Sequence, residues 1–302
     1  MFQDDTCSPE QSCGSCDSTA SCDAHAQQQH MEERLAVKLA SIKHRLVVMS
    51  GKGGVGKSTV AANLAVALAA LGRNVGILDG DVHGPNIPKM LGLEGAAPQG
   101  GPEGLLPLEA SPNLKVMSMG FLLQHPDTPV AWRGPMKHTL FQQFLADVQW
   151  GPLDYLIVDL PPGTGDEPMS IAQILGAPLW AVIVTTPQEV ALLDSRKSVV
   201  FAQNLDMHLL GIVENMSGLT CPHCNERIDL FKTGGGERAA IELGVPFLGA
   251  IPIDPAVVLA GDSGVPVATM DSGLQVAKAF RDLAGRTDNV VIGRKTSSPD
   301  AE

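Results

Sequence analysis

Leu46-Val47-Val48-Met49-Ser50-Gly51-Lys52-Gly53-Gly54-Val55-Gly56-Lys57-Ser58-Thr59-Val60 is the stretch that decides the fold. Its first four residues form an apolar run that reads as a buried parallel strand. The run breaks into a glycine-rich turn and resumes as an alanine-rich helix beginning near Lys57. Gly51, Gly56, Lys57 and Ser58 satisfy the spacing G-x-x-x-x-G-K-[ST]. Glycines let backbone N–H groups close around a phosphate, and the helix N-terminus adds its positive dipole end. The cradle expected for ATP is therefore Gly51, Lys52, Gly53, Gly54, Val55, Gly56, Lys57, Ser58 and Thr59. Lys57 is placed to reach the β- and γ-oxygens, and the Ser58 hydroxyl to ligate Mg²⁺.

Outward from the loop, apolar runs alternate with helical patterns, which predicts a doubly wound, mostly parallel α/β sheet with helices on both faces. Helices are expected at 31–43, 58–71, 135–148, 190–205, 236–243, 255–260 and 274–284. Strands are expected at 74–78, 155–158, 179–184, 209–213 and 247–251. Residues 94–113, rich in glycine and proline, read as a surface excursion with a hairpin. Three segments result: a cysteine-rich extension over 1–30, an ATPase domain over 31–285, and a disordered tail over 286–302. Ligands belong at the carboxyl ends of the strands.

Two of those ends carry acids. Asp159 closes an apolar strand, and the following Pro-Pro-Gly cannot continue it, which suits a Walker-B aspartate holding Mg²⁺. Gly163, four residues on, can place a backbone N–H at the γ-phosphate. Asp79 and Asp81 follow the second strand; Asp81 is assigned to the attacking water and Asp79 to support of Mg²⁺. Asn215, past the fifth strand, can hydrogen-bond the adenine edge, with Pro252 and Asp254 walling the base. Ordinary loop roles fit these last three equally well.

The 302 residues are 44% hydrophobic and only 4% aromatic, so aliphatic side chains must build the core. A formal net charge of −12 argues against a nucleic-acid partner held by phosphate contacts. No apolar run is long enough to span a bilayer, and the N-terminus has no signal-peptide pattern, so a cytoplasmic protein without a membrane partner is expected. All six cysteines fall in two short clusters, which in a reducing compartment favours metal over disulfide. Cys221 and Cys224 form C-x-x-C. Two thiolates cannot complete a tetrahedral site or a cluster; a two-fold dimer would supply four, enough for a [4Fe–4S] cluster. Structural zinc uses the same ligands. Cys7, Cys13, Cys16 and Cys22 supply four thiolates in a segment without its own core, and a cluster or zinc could order it, with His25 able to replace Cys7.

The second lysine, Lys52, makes the loop resemble the deviant phosphate loop of dimeric ATPases such as nitrogenase iron protein and the MinD/ParA group. That resemblance implies a homodimer in which Lys52 reaches the partner's nucleotide, adding it to Lys57 and Asp81 as a catalytic candidate. More broadly, 50–60, Trp132-Arg133-Gly134-Pro135-Met136, 154–166, Glu214-Asn215-Met216-Ser217 and Cys221-Pro222-His223-Cys224 resemble the Mrp/ApbC family of P-loop iron–sulfur carrier ATPases. The resemblance spans about 40–270. It implies a homodimer holding a labile [4Fe–4S] cluster between paired C-x-x-C loops and passing it to apoproteins. ATP binding and slow hydrolysis tune that transfer. The N-terminal cysteines look like the ferredoxin-like extension of the eukaryotic cytosolic branch, although the spacing from Cys7 to Cys13 is shorter than usual there. The first switch reads Asp79-Gly80-Asp81, where the family commonly has Asp-Ala-Asp, and Gly80 is expected to loosen it; Asn86 stands where the family has a hydroxyl.

Two other classes compete. An ATP-dependent electron donor would need a cluster cysteine near the second switch, and 159–170 contains none. A positioning ATPase with structural zinc would need a membrane-binding helix or a basic face.

Overall fold

Ile42–Met49, the β1 strand, lies at the centre of the sheet with its last four residues fully buried. The computed structural model describes residues 24–81, 84–101, 104–123, 134–221, 223–224, 226–270 and 273–295. The four N-terminal cysteines, Val82-His83, Trp132-Arg133 and Pro222 lie outside the described residues.

In chain order the strands after β1 are β2 (Val75–Asp79), β3 (Gly100–Gly101), β4 (Gly104–Leu105), β5 (Leu108–Ser111), β6 (Leu114–Ser118), β7 (Leu153–Asp159), β8 (Leu179–Thr185), β9 (His208–Glu214), β10 (Leu219–Thr220), β11 (Arg227–Ile228) and β12 (Phe247–Ala250). The helices are α1 (Ala24–Ala40), α2 (Lys57–Ala70), α3 (Ile87–Met90), α4 (Gly134–Ala146), α5 (Asp166–Leu175), α6 (Glu189–Asn204), α7 (Gly235–Leu243), α8 (Pro255–Ser263) and α9 (Gln275–Lys295). Eight strands form one sheet in the order β12-β9-β8-β1-β7-β2-β6-β5, parallel throughout except for β5. The doubly wound expectation holds. Because β1 runs between β7 and β8, the chain leaves it in both directions, and the crevice at its carboxyl end is the ligand position for this architecture.

Several boundaries differ from the sequence reading. Ile42 is in β1, not in the preceding helix, as suits a β-branched residue entering a buried strand. α1 begins at Ala24, inside the segment read as the extension. Its buried face includes His30 and Arg34, and Arg34 pairs with Asp147 at 2.5 Å beyond the end of α4. A helix held by buried polar groups leaves a weak apolar stripe. β6, just beyond the residues read as surface excursion, was missed altogether, and β5, within them, pairs with it to extend the sheet.

The disordered tail over 286–302 is corrected for its first ten residues, which continue α9 to Lys295. Val291 and Thr287 are buried, and Arg286 donates to the Leu248 carbonyl at 2.9 Å. Asp288 explains the anchoring: it accepts from Tyr155 Oη at 2.8 Å and from Arg73 Nε and Nη2 at 3.0 and 2.7 Å. Burial and the Asp288 carboxylate together push the Tyr155 phenol well above its ordinary range. Asp288→Ala leaves a buried phenol unpartnered and releases the guanidinium, so stability should fall by about 2–3 kcal/mol. An unfolding free energy from urea titration that falls by less than a quarter of that would mean the helix is held by its apolar face alone.

Candidate functional site

The phosphate loop is shaped by what lies behind it. Gly54 and Gly56 have φ +80 and +79, a region that disfavours side chains. A Cβ at Gly51 would collide with the backbone of Asp194 on α6, and one at Gly56 with the Asn215 amide. Gly53 and Gly54 face open space and are exposed, leaving that side of the loop to a ligand. Val55 is buried, and its carbonyl accepts from Asn215 Nδ2 at 2.9 Å. Thr59 lies in the first turn of α2, whose N-terminus faces the loop.

Lys57 is 6% exposed, and its Nζ sits 2.5 Å from Asp159 Oδ1 and 3.5 Å from Ser58 Oγ. Asp159 is fully buried. Burial pushes its carboxyl upward, while Lys57 and a hydrogen bond from Ser58 oppose that shift. Asp159 Oδ2 has no hydrogen-bond partner among the described residues. An orphaned carboxylate oxygen beside a serine hydroxyl and a phosphate cradle is the donor set a hard divalent cation takes. The residues fit Mg²⁺.

Asp79 pairs in register with Asp159 on the neighbouring strand and is equally buried. Its Oδ1 accepts from Asp81 N–H at 3.2 Å; its Oδ2 accepts from Ile87 N–H at 3.2 Å and Ser118 Oγ at 3.1 Å. Burial, reinforced by the Asp159 carboxylate, raises its pKa to about 8. Both oxygens are thus already engaged in shaping the switch, which the sequence did not reveal. Ser118, at the end of the missed β6, completes that shell. Asp81, two residues past the end of β2, is half-buried, with Oδ1 accepting from Gly84 N–H at 3.3 Å.

Gly80 is not loose. Its N–H donates to the Asp159 carbonyl at 2.8 Å, and a Cβ there would stand 2.6 Å from the same oxygen. Gly163, at φ +98, lies against the loop with its N–H engaged by the Ser50 carbonyl at 2.9 Å. Lys52 is half-buried and makes no ion pair among the described residues. Asn215 and the 251–254 segment lie side by side, since Ile251 N–H donates to the Glu214 carbonyl and Ser217 N–H to the Ile251 carbonyl. The Asn215 amide, expected at the adenine edge, buttresses the phosphate loop through its nitrogen. Asp254 caps α8 by accepting from Ala256 N–H at 2.8 Å, and Pro252 is half-buried beside it.

Cys221 and Cys224 sit at the tip of the β10–β11 hairpin, Cys221 half-buried and Cys224 exposed, both as free thiols. Cys221 N–H donates to the Glu226 carbonyl at 2.9 Å, closing the tip. The N–H groups of Cys224 and His223, with the Cys224 thiol, hold the Cys221 thiol below its ordinary range. Lowered pKa favours the thiolate, the metal-binding form. Among the described residues no three His, Cys, Asp or Glu side chains cluster to hold a metal ion. One hairpin therefore offers two thiolates and needs ligands from elsewhere.

A central parallel sheet, a glycine-rich loop entering a helix, a buried lysine–aspartate pair and a second loop lysine define a P-loop NTPase of the deviant kind. The chain belongs to the ParA-type "NUBPL iron-transfer P-loop NTPase" family, whose model matches residues 41–287. It is 47% identical to the iron–sulfur cluster carrier protein of Methanocaldococcus jannaschii over 94% of this chain and 97% of that one. It is 50% identical to the human cytosolic Fe-S cluster assembly factor NUBP2 over 75% of this chain and 85% of that one. A nucleotide-binding protein of Archaeoglobus fulgidus, solved in complex with ADP, superposes with a TM-score of 0.69 at 42% identity, over 77% of this chain and 91% of the other. No helix among the described residues is long and apolar enough to cross a membrane.

Proposed function

We propose that this protein is an ATP-hydrolysing iron–sulfur cluster carrier that assembles a [4Fe–4S] cluster and transfers it to apoproteins in the cytoplasm. The observation that carries the reading is the free thiol pair at a hairpin tip, one thiol lowered toward thiolate, on a chain with a complete phosphate loop. Two such hairpins about a two-fold axis supply four thiolates, so the working unit is a homodimer and the cluster is cargo between its chains. Cys7, Cys13, Cys16 and Cys22 hold a second cluster in this reading. Partners are apo iron–sulfur proteins. Neither an electron-donor nor a positioning role draws support from a specific feature of the site.

In the ATPase cycle Lys57 exchanges Asp159 for the β- and γ-phosphate oxygens, so ligand binding breaks the buried pair. Ser58 and Asp159 would hold Mg²⁺, which would supply charge neutralisation at the phosphates when bound. Lys52 from the partner adds positive charge at the γ-phosphate. Asp81 orients the attacking water from the mouth of the site, and Gly163 leaves Ser50 to donate to the γ-phosphate. Asn215 Oδ1, together with Pro252 and Asp254, lines the base. Hydrolysis is slow because the second lysine arrives only on dimerisation.

Asp81→Asn should lower ATP turnover about 100-fold or more with nucleotide affinity kept within about threefold, measured by phosphate release and by calorimetry. Unchanged turnover would remove Asp81 from the water. For the carrier function itself, anaerobically loaded protein should restore activity to an apo [4Fe–4S] enzyme, and Cys221→Ala or Cys224→Ala protein should not. Full-yield transfer from either variant would defeat the reading.

A further inference from the structure

Glu214 ends β9 in the position that Asp79 and Asp159 occupy on their own strands, and donors from its own chain engage both of its oxygens. It is fully buried. Its Oε1 accepts from Ser217 Oγ at 2.5 Å and Gly234 N–H at 2.9 Å, and its Oε2 from Gly236 N–H at 2.5 Å. Two amides and a hydroxyl, with the N-terminal end of α7 behind them, thus engage both of its oxygens. The glycines are required there. Gly234 has φ +75, and a Cβ at Gly236 would stand 2.9 Å from Glu214 Cβ.

Between those donors runs the segment from 217 to 234, which is the cysteine hairpin with its two feet. Ser217 is one foot and Gly234 the other, so a single carboxylate clamps both. The first foot is tied further by Ile253 N–H donating to the Gly218 carbonyl at 2.8 Å and by the bridge between Leu219 and Ile253. The adjacent residue, Asn215, grips the phosphate loop at Val55. One dipeptide thus touches the loop that binds ATP and the hairpin that carries the thiols.

We infer that Glu214 is a positioning residue: it fixes the cysteine hairpin to the phosphate loop, so that movement of the loop on nucleotide binding changes the setting of Cys221 and Cys224. Its consequence for cluster transfer rests on the carrier reading above; the coupling does not. Glutamine at 214 keeps the volume but offers one acceptor oxygen, so one of the two amides would face an NH₂ group. With the NH₂ at the Oε1 position, the Gly234 foot is released, while Asn215 keeps its grip on Val55.

The test uses the full-length, cluster-free protein. Alkylation rates of Cys221 and Cys224 are followed by peptide mass spectrometry with and without Mg²⁺ and a non-hydrolysable ATP analogue. In the wild type the nucleotide should change those rates about fivefold or more, the lower end of ordinary coupling between sites. In Glu214→Gln nucleotide affinity should stay within about twofold and the response should vanish, because only the link is cut. Ser217→Ala removes one of three donors and should weaken the response, while Ser217→Thr restores it. If Glu214→Gln does not fold, the Ser217 pair decides. Wild-type rates indifferent to nucleotide, or variants that keep the full response, would overturn the inference. Cluster loading is scored separately. Protein that takes up no iron and sulfide but keeps the alkylation response defeats the carrier reading alone; loading with an unchanged response in Glu214→Gln defeats this one alone.

Discussion

Lys57→Ala should lose ATP turnover by on the order of a thousandfold, the scale of removing a preorganised charge from the reacting groups. Phosphate transfer asks the protein for position and electrostatics, and Lys57 is the one buried cation among the described residues next to Ser58 and Asp159, the pair proposed to hold Mg²⁺. Turnover within tenfold of wild type would show that the loop amides alone hold the phosphates. The same change has a second effect in nucleotide-free protein, because Asp159 loses its partner. Breaking a buried pair costs about 3–5 kcal/mol when the remaining charge cannot neutralise itself. Asp159 can neutralise itself, since burial already raises its pKa and Lys57 opposes that rise. The sign follows. A carboxyl with a raised folded pKa contributes stability that is complete below its unfolded pKa and lost as pH climbs through the folded one. Removing Lys57 raises that folded pKa further, so the destabilisation by Lys57→Ala should grow between pH 5 and pH 8. Equal losses at both pH values, in urea titrations, would mean the pair is not charged in the free protein.

Cys221→Ala and Cys224→Ala should each abolish cluster loading at the hairpin while leaving the fold nearly untouched. Cys224 is exposed and Cys221 only half-buried, so neither truncation opens a core cavity, and stability should move by less than about 0.5 kcal/mol. In a homodimer each single substitution removes two of the four thiolates, which no geometry of the remaining pair can replace. The combination of a near-wild-type melt with absent hairpin-bound iron is the signature. A variant that loads normally would move the cargo site to other residues.

Much of this was legible because the chemistry is local. The phosphate loop, Asp159 after its apolar strand and C-x-x-C are each written within a dozen residues, and the alternation of strands with helices follows from apolar runs around them. What escaped detection depends on partners far away in the chain. Asp288 keeps α9 in place through Arg73 and Tyr155, 215 and 133 residues distant, so a polar stretch near the C-terminus read as disordered when it is helical. Ser118 closes the shell of Asp79 from a strand whose short alternation, Leu114, Val116 and Ser118 facing one way, is only five residues long and was given no strand. Glu214 carried the same signal as Asp79 and Asp159, an acid closing an apolar strand, yet only Asn215 beside it was singled out. Asn215 had been matched to the base, and its grip on Val55 became visible only when β9 was set next to β8 and β1. Gly80 shows the reverse error: a glycine read as freedom is a close approach to the Asp159 carbonyl.

Iron, acid-labile sulfide and zinc, measured with an absorption spectrum on anaerobically reconstituted protein, test the carrier claim most directly. The set comprises wild type, the Cys221→Ala/Cys224→Ala double variant and protein lacking residues 1–23, which removes the four N-terminal cysteines and spares α1. The account predicts equal iron and sulfide in the wild type, with a broad band toward the blue edge of the visible, reduced in both variants. Stoichiometric zinc without sulfide would contradict it and make the thiols structural.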